Sequence, residues 1–261
     1  RLEEAEVEQR AVLEIRRRVL GEEHPDTLTS RNNLANVLRD MKRLEEAEVE
    51  QRAVLEIRRR VLGEEHPDTL TSRNGLAIVL SDMKRLEEAE VEQRAELEVC
   101  RRVLGEEHPD TLISRGNLAL MLRELGRFEE AEVEQRAVLK IRRRVLGEER
   151  SPTLISRNDL ALVLRDLGRL EEAEREHRAV LEISRRVLGE EHPDTLGSRN
   201  NLALVLHDLG RLEEAEREHR AVLEICCRVL GENHPGTLES RNNLALVLRG
   251  LGRLEENLFM D

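Results

Sequence analysis

The chain superimposes on itself at a single offset. Leu2, Leu44, Leu86, Phe128, Leu170, Leu212 and Leu254 stand 42 residues apart, and whole blocks of sequence travel with them. So strict a period overrides local signals and specifies a repeat architecture in which each unit is one supersecondary element. A representative unit is RLEEAEVEQRAVLEIRRRVLGEEHPDTLTSRNNLANVLRDMK, from Arg1 to Lys42.

Each unit reads as two helices. The first starts at Pro25 and Asp26: proline suits a first helical turn, where its missing N–H is not needed, and the aspartate faces the positive end of the helix dipole. Leu28, Leu34, Ala35, Leu38 and Met41 then recur at helical spacing. Gly126, Gly168, Gly210 and Gly252 end the later copies, because glycine accepts the left-handed conformation of a helix stop. Lys42 and Lys84 hold that place in the first two copies and predict less relaxed turns. The second helix spans Leu44 to Leu62 and stops at Gly63, with Leu44, Ala47, Val54, Leu55, Ile57, Val61 and Leu62 as its apolar stripe. Glu45, Glu46 and Glu48 open it and Arg58, Arg59 and Arg60 close it, both blocks complementing the dipole.

Composition agrees with long helices. Charged residues are 38% and aromatics 1%, with no Trp or Tyr, yet 39% of the chain is hydrophobic, which excludes disorder. The net charge of −12 argues against nucleic acid as a partner. No apolar run approaches the roughly 20 residues of a membrane span. The first residues, RLEEAEVEQR, lack the features of a signal or transit peptide; they start without Met inside a unit, as a piece cut from a longer array would. Cys100, Cys226 and Cys227 show no CxxC spacing, so neither a disulfide framework nor a zinc site is expected. Cys226 and Cys227 replace the arginines of other copies and read as surface changes. A reducing, cytoplasmic setting is expected.

No unit buries both apolar faces alone, whereas stacked units do. The expectation is an all-α solenoid of stacked antiparallel helix pairs, about thirteen helices with the last incomplete. It forms one array over 1–261: a lone second helix (1–23), units 24–65, 66–107, 108–149, 150–191 and 192–233, and a truncated unit 234–261. The period alone also allows armadillo and HEAT repeats. A propeller is excluded, since alternating strands and a Trp-Asp signature are missing.

The segment NNLALVLRGLGRLEE, Asn242 to Glu256, with its small Ala245, Leu-Gly turn and Leu-Glu-Glu start, resembles a tetratricopeptide repeat. The longer period, the long second helix and the LGEEHPDT linker (Leu62 to Thr69) resemble the kinesin light chain subtype. Related arrays occur at the C-terminal ends of signalling NTPases of the NB-ARC and NACHT kinds. The chain departs from the pattern in having leucine at Leu38 and Leu44, where aromatics are usual, and Gln51 or His177 where Tyr is common. The resemblance implies a right-handed superhelix whose first helices line a concave groove that takes a peptide or helix of a partner protein.

Carried over by position, three rows fall on that groove. Asn32, Asn74, Asn158, Asn200 and Asn242, with Gly116 in the third copy, either bridge neighbouring helices or hydrogen-bond a peptide backbone. Leu120, Leu162, Leu204 and Leu246, preceded by Asn36 and Ile78, form either packing or a greasy track. Arg39, Arg123, Arg165 and Arg249, with Ser81 and His207 between them, either make a solvated ion-pair face or grip carboxylates. Asp40, Asp82, Glu124, Asp166 and Asp208 lie beside this row. Thr29, Thr71, Ile113, Ile155, Gly197 and Glu239 vary most between copies, so discrimination among partners is expected there.

Catalysis, cofactors and metals find no support. His24, His66, His108, His192 and His234 occur once per unit, one per layer, which cannot chelate a metal with ligands ~2 Å away. Copy four replaces this histidine with Arg150. No GxxxxGK[ST] or GxGxxG loop exists, and no asymmetric carboxylate pair marks an acid–base site. The runner-up to groove binding is head-to-tail self-association. Neither end carries a polar capping repeat, and Leu2 and Val12 at one end, with Leu258 and Phe259 at the other, are the expected contacts.

Overall fold

The computed structural model describes residues 2–253, and every regular element among them is α-helical. The helices are α1 (Leu2–Leu20), α2 (Pro25–Asp40), α3 (Leu44–Leu62), α4 (Pro67–Asp82), α5 (Leu86–Leu104), α6 (Pro109–Glu124), α7 (Phe128–Leu146), α8 (Ser151–Asp166), α9 (Leu170–Leu188), α10 (Pro193–Asp208), α11 (Leu212–Leu230) and α12 (Pro235–Gly250). Long and short helices alternate with the 42-residue period, and the expected bounds at Pro25, Leu44 and Leu62 are observed. The residues divide between Glu134 and Gln135, within α7, into two compact units. In the first unit α1 to α6 each pack on the next, and in the second α8 to α12 do the same. The chain is an all-α repeat solenoid.

The cores show why single units cannot fold alone. In the first unit Leu13 of α1, Leu34 and Leu38 of α2, Ala47 of α3 and Val79 of α4 form one buried cluster. In the second, Leu181, Leu202, Ala203, Leu206, Ala215 and Val247 draw on four consecutive helices from α9 to α12. Ala47, Ala89, Ala173 and Ala215 are fully buried, leaving room only for a methyl group at the helix crossing. Removing a buried leucine such as Leu80 or Leu206 costs about 2–5 kcal/mol through lost transfer energy and the cavity left behind.

Local chemistry sets the turns. His24, His66, His108, His192 and His234 are N-caps: each Nδ1 accepts the backbone N–H two residues on, at 3.1–3.2 Å. Arg150 in copy four provides no such bond. Gly126, Gly168, Gly210 and Gly252 adopt positive φ as expected, whereas Lys42 and Lys84 are forced to φ 62° and 61°.

Much of the charge holds neighbouring repeats together. Arg43 bonds Glu46 of its own helix and Glu6 of the preceding repeat, at 2.6 and 2.7 Å, and Arg85 and Arg211 repeat the arrangement with Glu48 and Glu174. These links draw Arg43 and Arg85 above the ordinary guanidinium range and hold Glu46 and Glu88 below the usual carboxylate range.

Two sequence expectations are corrected. Val61 is 48% exposed and lies outside the core stripe, while Arg58 three residues earlier is 4% exposed. Hydrogen bonding offsets the cost of burial: Arg58 Nη1 donates to Asp68 O (2.9 Å) and Ser72 Oγ (2.7 Å). Cys226, at the same register in α11, is therefore a buried replacement of that arginine rather than a surface change, as is Cys100 in α5. All three cysteines are free.

Candidate functional site

The short helices carry the three candidate rows. In the first unit, the asparagine row is half-buried at Asn32 and Asn74, and Asn117 Nδ2 donates to Asn74 Oδ1 at 3.1 Å. In the second, Asn158 Oδ1 meets His177 Nδ1 at 3.2 Å and Asn200 Oδ1 meets His219 Nδ1 at 3.3 Å. The asparagine oxygen can only accept, so each Nδ1 carries the hydrogen. Both histidines are buried, and loss of hydration pulls each down to about 4, helped by the positive charge of Arg165 for His177 and of His207 for His219. The bridging role thus occupies one end of Asn158 and Asn200. Asn242 is exposed.

One turn further on, the leucine row stands clear of the core. Leu120 is 41%, Leu204 37% and Leu246 62% exposed, with Leu162 intermediate. Their neighbours Leu118, Leu202 and Leu244 are almost completely buried, so a single helix separates a packed leucine from a displayed one two residues away. Leu162 and Ile78 are half-buried, so the row is packed in part and displayed in part.

The arginine row is largely neutralised within the protein. Arg39 bonds Asp40 at 3.4 Å and lies 3.8 Å from Asp82 of the next repeat. Arg165 Nε donates to Asp208 Oδ2, and this bond holds Asp208 below the usual carboxylate range against its partial burial. Arg123 is half-buried and Arg249 exposed. A partner's carboxylate would have to compete with these aspartates.

Leu2 and Val12 lie exposed on α1; Leu258 and Phe259 lie outside the described residues. Among the described residues, no group of histidine, cysteine, aspartate or glutamate side chains is placed to hold a metal, and no helix is long and apolar enough to cross a membrane.

Two features escaped the sequence reading. Glu96 is buried on α5 beside Cys100, accepts from Gln93 Nε2 at 2.8 Å, and is pushed up to about 7 by burial. A cavity of about 300 Å³ opens between α8, α9 and α10 around Ser184 and Gly197. The available signal in both cases was departure from the repeat: Val54 and Val138 occupy the register of Glu96, and Arg58 and Arg142 that of Ser184.

Comparison with known proteins follows the same lines. The tetratricopeptide repeat family matches residues 1–26, 27–68, 74–144, 115–175, 153–225 and 194–256. No curated protein sequence matches the chain. Among solved structures, the kinesin light chain nearly identical TPR-like repeats of Podosopora anserina are 28% identical, with a TM-score of 0.71 over 78% of this chain and 97% of that one. BtubC (BKLC) from P. vanneervenii is 22% identical, with a TM-score of 0.74 over 90% of this chain and 94% of that one. A Signal Transduction ATPase with Numerous Domains with a tetratricopeptide repeat sensor, from Pyrococcus horikoshii, is 17% identical, with a TM-score of 0.68 over 98% of this chain and 41% of that one. The last two resemble it in fold alone. Period, capping chemistry, helix pairing and family match agree: the chain is similar in structure to kinesin light chain-like repeats, and it belongs to the tetratricopeptide repeat family.

Proposed function

We propose that the chain is a non-catalytic protein-binding module whose short helices take an extended or helical segment of a partner protein. Tetratricopeptide repeats are in general protein–protein interaction scaffolds. The observation that carries the reading is the displayed leucine row, Leu120, Leu204 and Leu246, on helices whose other leucines are packed. Within the second unit, exposed apolar side chains repeated on successive short helices, Leu204 and Leu246, favour an interaction surface, and the flanking asparagines add backbone hydrogen-bonding capacity. With its cysteines free, the module suits a reducing, cytoplasmic setting.

The test is affinity capture with the whole array, followed by calorimetric titration of one captured partner. Leu204→Glu with Leu246→Glu is expected to weaken binding at least about tenfold, because each introduces an unpaired charge into an apolar contact. Arg123→Glu with Arg165→Glu is expected to weaken it further while helicity is retained. Unaltered affinity in the leucine variant refutes the reading.

Self-association is a second reading, favoured by one observation. Leu2, Val12 and Ile15 of α1 are exposed, while their counterparts Leu44, Val54 and Ile57 in α3 are buried or half-buried. Light scattering across a concentration series separates the two: a mass that never rises above the monomer excludes self-assembly.

A further inference from the structure

In three copies the chain fills one recess with its own arginine. Arg16, Arg58 and Arg142 each reach from a long helix to the following short helix, where Nη1 donates to a first-turn carbonyl and a serine hydroxyl. The acceptors are Asp26 O and Ser30 Oγ, Asp68 O and Ser72 Oγ, and Pro152 O and Ser156 Oγ, all at 2.7–2.9 Å. The recess is thus a guanidinium site by construction. Burial pulls Arg58 below the ordinary guanidinium range, and the nearby Asp68 charge opposes that pull.

In α9 the arginine is replaced by Ser184, but its receiving groups remain. Ser198 keeps its place, and its hydroxyl donates to Asp194 O at 2.8 Å, which leaves its oxygen able to accept from a donor. Asp194 matches Asp68. The result is the cavity of about 300 Å³ bounded by Ser184, Asp194, Gly197 and Ser198, with apolar walls from Leu154 and Val180. That volume sits at the lower end of ligand pockets and suits one side chain better than a larger molecule. A second change opens its mouth: Gly197 stands where Thr71, Ile113 and Ile155 stand in other copies, and a Cβ there would meet nothing within 4 Å. Asn158 and Asn201 flank the cavity and offer amide groups to a peptide backbone.

We propose that this cavity is a socket for an arginine side chain of a bound partner segment, whose guanidinium takes the place that Arg58 and Arg142 fill from within. The proposal rests on the groove reading for the origin of that arginine, and it deepens it by naming the side chain recognised. Charge complementarity favours arginine over a neutral occupant, because Asp194 remains while the internal cation is gone. Arginine is also favoured over lysine, because a planar fork reaches a carbonyl and a hydroxyl together.

The test uses the whole chain and two capped amino acids, acetyl-arginine methylamide and its neutral isostere acetyl-citrulline methylamide, titrated by amide chemical shift at Gly197, Ser198 and Asn201. The arginine probe is expected to bind at least about tenfold more tightly than the citrulline probe, as charge-assisted hydrogen bonds require. Ser184→Arg restores the repeat's own side chain and is expected to abolish probe binding. Gly197→Ile, which restores the residue of copies three and four and leaves the cavity floor untouched, is expected to weaken it comparably. Equal binding of the two probes, or binding that survives both substitutions, overturns the proposal. Probe binding lost in both variants, together with weaker partner capture by Ser184→Arg, upholds it. A partner captured with equal affinity by the wild type and Ser184→Arg overturns it and leaves the groove reading intact.

Discussion

Replacing Glu96 by valine, the residue at the same register in α3, α7, α9 and α11, is expected to stabilise the first unit in a pH-dependent way. Glu96 is 8% exposed, and burial raises its pKa from 4.5 to about 7. Arg73 and the Gln93 amide favour the carboxylate, but Asp110 of α6 opposes them and the net direction is upward. The folded chain therefore holds the proton more tightly than the unfolded chain. Below pH 4.5 both forms are protonated and the site costs nothing through ionisation. As pH rises from 4.5 to 7 the unfolded chain ionises freely while the folded chain resists, so stability falls, then levels off above 7. At ~1.4 kcal/mol per tenfold change in proton affinity, the loss above pH 7 is about 3 kcal/mol. Glu96→Val removes that loss and buries a small apolar group, at the expense of one Gln93 hydrogen bond; Gln93 Nε2 retains Ser114 Oγ at 3.0 Å. Hydrogen exchange of the α4 to α6 amides reads the local effect, which suits a repeat array better than a global melt. The variant-minus-wild-type difference cancels other titrating groups. A gain of about 2–4 kcal/mol at pH 8, shrinking to about 1 kcal/mol at pH 5, is expected. A gain equal at both pH values, or none at either, would refute the argument.

The second unit should respond to pH in the opposite sense. His177 and His219 are held neutral by burial, each lowered from 6.5 to about 4, so their contribution is present above pH 6.5 and lost as pH falls towards 4. His177→Gln, which restores the residue of Gln51 and Gln93, should reduce the acid loss by about 2–3 kcal/mol, read as exchange of α8 to α10 amides between pH 7 and 4.5. Lys42→Gly and Lys84→Gly should each add about 1 kcal/mol, since both lysines sit at positive φ; a thermal melt that fails to rise counts against strain there. His66→Ala should cost about 1 kcal/mol by leaving the Asp68 N–H without its cap, and His66→Asn should recover most of it in the same denaturation assay.

The period, the helix bounds, the turn glycines and the pairing of long with short helices were all legible in the residues, because each follows from local rules of spacing and capping. The strain at Lys42 and Lys84 was legible for the same reason. The asparagine and arginine rows were placed correctly on the short helices, but their internal partners were not foreseen: Asn158 meets His177 nineteen residues on, and Arg165 meets Asp208 forty-three residues on. Such partners follow from how helices stack and not from the spacing within one helix.

What the sequence determined alone is therefore the 42-residue unit and its two helices, since backbone hydrogen bonding and amphipathic spacing act over a few residues. Tertiary structure decided which side of each helix is dry. It buried Arg58 and exposed Val61, drew Cys226 inside, isolated Glu96 from water, displayed Leu246, and opened the cavity at Ser184. In each case the deciding atoms come from another helix, and one substitution in a near-identical copy changes the fit only where that neighbour meets it. The strict period fixes the frame, and the departures from it acquire chemical meaning only once neighbouring helices are packed around them.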